Sequence, residues 1–101
     1  MANTWVILLG HAPQTLNVNV GDNLIIAACA PYRFCVTSGN SSNFSPALPT
    51  GTDFQAGEVW PASGGVSVAM TAGTISWDHQ NSGTECPSAA MVGGGHTIVV
   101  S

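Results

Sequence analysis

A histidine, a cysteine and a methionine stand near one another in the last third of the chain, GTISWDHQNSGTECPSAAMVGGGHTIVV, as His79, Cys86 and Met91. Imidazole, thiolate and thioether are soft or borderline ligands. Gathered in one loop between two buried strands, they suit Cu(I), or Cu(II) in an altered geometry. The same stretch carries Asp78 and Glu85, which raises the question of acid–base chemistry. Asp78 and His79 are adjacent, so on a strand they are expected to point to opposite faces and to form no orienter–base pair. Glu85, beside Cys86, has no evident base. Gly93-Gly94-Gly95 leads into a strand and no lysine follows it, so it is not a phosphate loop. The expectation is a protein without enzymatic activity. His11 at a strand break and His96 at a strand start read as polar surface or capping groups.

The elements that must hold this loop read as short strands. Residues 4–9 (TWVILL) form a mostly apolar run that Gly10 and Pro13 end. Residues 15–20 alternate, with Leu16, Val18 and Val20 on one face and Asn17 and Asn19 on the other, the period of a half-buried strand. A turn at Gly21-Asp22-Asn23 follows. Residues 24–29 (LIIAAC) read as a fully buried strand, and 32–37 (YRFCVT) as the next. Residues 39–57 are polar and rich in Ser, Pro and Gly, with Phe44, Leu48 and Phe54 expected to pin them to the body. A short strand at 58–60 and an alternating one at 66–70 precede the loop, and the chain closes on a strand at 97–100. Trp5, Trp60 and Trp77 read as core or interface anchors. Seven or eight strands, turn signals at regular spacing and no convincing helix predict an all-β Greek-key sandwich in one domain, residues 1–101.

Composition narrows the partners. The chain has one cation, Arg33, and five acids, for a net charge of -4. No basic patch exists to track a phosphate backbone, so nucleic acid is not an expected partner. No run of about 18 apolar residues occurs, so membrane insertion by a helix is not expected. Only 6% of residues are charged, against about 25% in an average domain. With no lysine to guard the strand edges, a surface partly covered by other protein chains or by copies of itself fits the composition. That fits an extracellular, cell-surface or virion-associated setting better than a soluble cytoplasmic one.

Four segments, in the right order, resemble the signatures of the cupredoxins, small copper proteins. Pro13-Gln-Thr-Leu-Asn-Val-Asn-Val-Gly-Asp22 is similar to their amino-terminal Val-Gly-Asp strand. Phe54-Gln-Ala-Gly-Glu58 is similar to their "pGe" turn, Gly73-Thr-Ile-Ser-Trp77 to "GTYxY", and Cys86-Pro-Ser-Ala-Ala-Met91-Val-Gly to the ligand loop "HxxxGMxG". The resemblance implies a Greek-key sandwich and a copper site of two histidines, a cysteine and an axial methionine. Residue by residue, the ligand set departs from the pattern. Phe34-Cys-Val36 stands where the first histidine is expected, His79 where the cysteine is, and Cys86 where the second histidine is; Met91 alone matches.

Two readings follow from the resemblance. In one, the ligands are rearranged, and His79, Cys86 and Met91, with Cys35, hold copper. In the other the copper is lost, Phe34 fills its space as core, a Cys35–Cys86 disulfide joins the two loops the metal would have bridged, and Cys29 stays a buried free thiol. Such a bridge closes a loop of about 50 residues and contributes about 4 kcal/mol on the chain-entropy model. The expected function is a non-enzymatic structural or interaction module lacking a standard copper site, with no cofactor. It would serve as a surface or decoration component of a larger assembly. The alternative is an extracytoplasmic copper-binding or electron-transfer protein with an unusual His/Cys/Met site.

Overall fold

In the computed structural model, residues 2–10, 15–62, 65–81, 83 and 96–101 are described. Among them, ten strands form two five-stranded sheets. The first sheet contains β1 (Thr4–Leu9), β3 (Asn23–Ala28), β5 (Phe44–Ser45), β7 (Val59–Trp60) and β8 (Ser67–Ala69). The second contains β2 (Thr15–Val18), β4 (Tyr32–Ser38), β6 (Thr52–Phe54), β9 (Gly73–Asn81) and β10 (His96–Val100). The all-β class is as the strand pattern predicts. The count exceeds eight because residues 39–57, read as an irregular segment, contain β5, β6 and a 3-10 turn at Ser41–Asn43. Asn40 caps that turn, its side chain accepting from the Ser42 N–H at 3.0 Å.

The pairing is mixed. β1 runs parallel to β3, and β2 parallel to β10; the other ladders are antiparallel. In the second sheet the order is β2-β10-β9-β4-β6, so β9 lies between β10 and β4. That placement brings residues of three strands to one point on the sheet.

The core follows from the period of two. Ile7 and Leu9 of β1, Leu24, Ile26 and Ala28 of β3, Ile75 and Trp77 of β9, and Ile98 and Val100 of β10 all point inward. Each large apolar side chain so buried contributes about 1.5–3 kcal/mol. Phe44, Leu48 and Phe54 are buried and pin the 39–57 segment as expected. Phe34 is fully buried in the same cluster. Across residues 66–70 the small residues face in. Ser67 and Ala69 are buried, while Met70 is 57% exposed. The Ser67 hydroxyl donates to the Pro46 carbonyl, which lets a polar group sit inside. Ala69 lies opposite Phe44 and leaves room for its ring.

Two further expectations need correction. Cys29 is a free thiol, but it is exposed, beyond the end of β3, with its Sγ donating to the Leu9 carbonyl at 3.1 Å. Val20 does not continue the buried face of Val18. It lies past β2 and is half exposed, where the chain turns through Gly21 at φ +96°, a conformation that favours glycine.

Candidate metal centre

On β9, Ile75, Trp77 and His79 share one face, since alternate residues of a strand do. On β10, His96 is in phase with the buried Ile98 and Val100, and it is itself buried. The β9–β10 ladder sets His96 opposite Trp77, and the β9–β4 ladder sets His79 opposite Phe34. The result is a stack of rings. Trp77 and His96 are stacked with centroids 4.0 Å apart and planes 22° from parallel, His96 and His79 are tilted at 5.3 Å, and Tyr32 meets His79 in a T-shaped contact at 4.8 Å.

Asp78 completes the cluster, against the expectation that neighbours on a strand stay apart. Its Oδ1 accepts from the His79 backbone N–H at 2.8 Å, which folds the carboxylate back along the strand. The same oxygen lies 3.9 Å from His79 Nδ1. One ligand atom from each of Asp78, His79 and His96 falls within 4.8 Å of the others. Bond lengths of about 2.0–2.2 Å to such donors imply separations near 3.3 Å around a tetrahedral ion, so modest side-chain rotation would close the set.

The electrostatics favour ligation over ionisation. Burial holds His96 below the usual imidazole range, and the neighbouring His79 adds to this while Asp78 opposes it. A neutral imidazole is the form that binds a metal. The Nδ1 atoms of both histidines are buried without a hydrogen-bond partner among the described residues. Buried polar atoms are nearly always paired, so two orphans side by side mark a place shaped for something else. Two imidazoles and a carboxylate fit a borderline divalent ion such as Zn2+ or Cu2+.

Of the ligands read from the sequence, His79 is in this cluster. Cys35 is fully buried on β4, directly opposite Asp78, and its sulfur is disulfide-bonded. Cys86, Met91, Glu85, the Gly93–Gly95 run and His11 lie outside the described residues. His96, on sequence grounds a surface or capping group, is instead a buried part of the cluster. The signal that could have found it is its spacing of two and four residues from Ile98 and Val100.

Polar contacts also fix where the chain leaves β9. Arg33, the sole cation, meets Asp53 through two nitrogens at 2.8 and 3.2 Å, and Asp53 accepts from the Gly83 N–H at 3.2 Å. The Arg33 guanidinium, followed by that N–H, holds the Asp53 carboxyl below the usual carboxylate range. The pair anchors β4, β6 and Gly83 to one another.

No family model, curated protein or solved structure matches the chain.

Proposed function

We propose that the chain is a non-enzymatic metal-binding β-sandwich that takes a borderline divalent ion, Zn2+ or Cu2+, on His79, His96 and Asp78. The observation that carries this reading is the pair of buried Nδ1 atoms without partners among the described residues, set beside a carboxylate. A bound cation would satisfy both lone pairs and the carboxylate at once. The resemblance to the cupredoxins supports the reading in kind, since a two-sheet all-β chain is what that family's architecture requires. The ligand set differs from theirs. It contains two imidazoles and an oxygen, with the thiolate position occupied by His79. An intense blue charge-transfer band is therefore not expected on adding Cu2+.

Calorimetric titration of the metal-free protein with Zn2+ and with Cu2+ tests this. Stoichiometric binding that disappears in the His79→Ala, His96→Ala double variant is the expected result. Failure of both ions to bind would end the proposal.

A second reading, an interaction module, is favoured by the outer face of the first sheet. Val6 and Val59 are 52% and 45% exposed, and Leu8 is exposed too. Val6 lies beside Ile25, Leu8 beside Ala27, and Ala27 beside Val59, so the apolar residues are continuous across three strands. β1 has no second strand neighbour among the described residues. Native mass spectrometry showing a concentration-independent monomer, unchanged in Val6→Asp, would count against association through this face.

A further inference from the structure

The two outer faces of the sandwich differ in chemistry. On the second sheet the positions that alternate with the core hold Asn17, Thr97, Ser76, Gln80, Arg33 and Asp53, a polar set of the kind that meets water. On the first sheet, Ile7 and Leu9 of β1 and Leu24, Ile26 and Ala28 of β3 point inward. Val6, Leu8, Ile25 and Ala27 therefore point outward. The ladders extend this surface to Val59 of β7, and Val68 of β8 joins it between the buried Ser67 and Ala69. No strand of the first sheet contains a charged residue. Parallel ladders are normally covered on both faces, and their strands read as near-continuous apolar runs. β1 and β3 form such a ladder from such runs, TWVILL and NLIIAA. The second sheet covers them on the inside, while Val6 and Leu8 stay exposed on the outside.

We propose that a second copy of the chain supplies the outer layer, the first sheets of two copies packing face to face about a twofold axis. The inference rests on the reading of this face as an interaction surface and names its occupant. Charge is the first reason. Each chain carries a net charge of -4, so two copies repel wherever their acids meet. Asp53 and Asp78 lie in the second sheet, and contact through the first sheets turns them away from each other. Asp22 and Glu58, at the ends of β3 and β7, are already engaged by backbone N–H groups. The contact thus desolvates no charged strand residue. An uncharged apolar face complements itself, and it offers no ion pair by which to select a charged partner. Area is the second reason. Two sheets about 10 Å apart account for the thin axis, which is 21 Å against 36 and 29 Å for the other two. The broad faces are then on the order of 1000 Å2, above the roughly 800 Å2 per partner of a standard stable interface. The metal cluster lies in the second sheet, clear of the contact.

Analytical ultracentrifugation from micromolar to millimolar protein is the test, with the fluorescence of an apolar dye as a second readout. The parent is expected to show a monomer–dimer equilibrium. Val6→Glu sets like charges in the contact and is expected to weaken the dimer roughly 100-fold or more. Val6→Lys does the same, and mixing the two variants restores a dimer of one chain of each. Thr97→Glu, on the outer face of the second sheet, leaves the dimer as in the parent. Circular dichroism reports folding, and Val59→Glu replaces Val6→Glu should that variant fail to fold. A parent that stays monomeric overturns the proposal, as does a dimer that survives charge on the first sheet. The dye separates this failure from failure of the underlying reading. A monomer that binds dye, and loses it in Val6→Glu, has an apolar face open to a different partner; a monomer that binds none has no interaction face at all.

Discussion

Two buried carboxylates divide the molecule between them. Asp22, at the turn between β2 and β3, accepts from the Trp5 indole N–H and from the backbone N–H groups of Asn3 and Asn19, each at 3.0 Å. Its neighbourhood is saturated. Those donors, the Trp5 N–H first, hold its carboxyl below the usual carboxylate range. Asp78, on β9, has neighbours that are not saturated among the described residues, for the two imidazoles it meets keep buried nitrogens without partners there. Burial of an acid therefore does not by itself indicate a function. The distinction lies in whether the surrounding donors and acceptors are used up. Where they are, the group holds the fold together. Where they are not, the fold bears an uncompensated cost that a ligand can remove.

The largest effect expected from this contrast is on metal binding. His79→Ala or His96→Ala should lower Zn2+ or Cu2+ affinity at least as much as the roughly 100-fold lost when outer groups of metal sites are changed. Asp22→Ala should leave that affinity unchanged and instead lower the melting temperature sharply, because three N–H donors lose their shared acceptor. Calorimetry and thermal melts on the three variants would separate the two roles. A metal affinity that fell in Asp22→Ala as in the histidine variants would erase the distinction.

Next in size is a gain in stability from removing function. His96→Phe keeps a ring stacked on Trp77 and deletes the orphaned nitrogen. It should stabilise the metal-free protein by about 1 kcal/mol while abolishing metal binding. Denaturant midpoints that fall instead would show that the His96 nitrogen is compensated in solution.

The smallest effect is on pH dependence. His96 has a folded pKa below its unfolded value of about 6.5, so between those values the unfolded chain binds more protons. Stability of the metal-free protein should therefore fall as pH drops below about 6.5, and this slope should level off at the lowered folded value. Asp22 acts further down the scale. Its stabilisation is present above an unfolded pKa of about 3.9 and is lost as pH falls through the lowered folded value. Urea titrations across pH should show the upper slope flattened in His96→Phe and the lower one flattened in Asp22→Asn.

Much of the scaffold is legible in the sequence because alternation is a local property. β1 occupies the residues that the TWVILL run marks, and β3 and β4 differ from expectation by a single residue at their ends. Phe44, Leu48 and Phe54 anchor their segment because large apolar groups among polar neighbours have nowhere else to go. The site is harder to read, for three physical reasons. His96 belongs to the core face by its phase, yet a histidine beside a glycine run reads as surface. Asp78 reaches His79 through a carboxylate bent back onto the backbone, a rotamer choice that residue order does not encode. The placing of β9 between β10 and β4 depends on sheet order, which no single stretch contains. His79 is legible because a cysteine and a methionine stand near it in sequence, while its described neighbours, Asp78 and His96, come from strand register.

The stack of Trp77 on His96 also makes the protein its own optical probe. An indole in face contact with an imidazole, 4.0 Å away, loses excited-state energy to that ring once it becomes cationic. Proton or metal uptake at His96 should therefore dim Trp77 emission. Trp5 is occupied with Asp22 and Trp60 lies in the other sheet, so they supply a steady background against which the change can be read without any added dye.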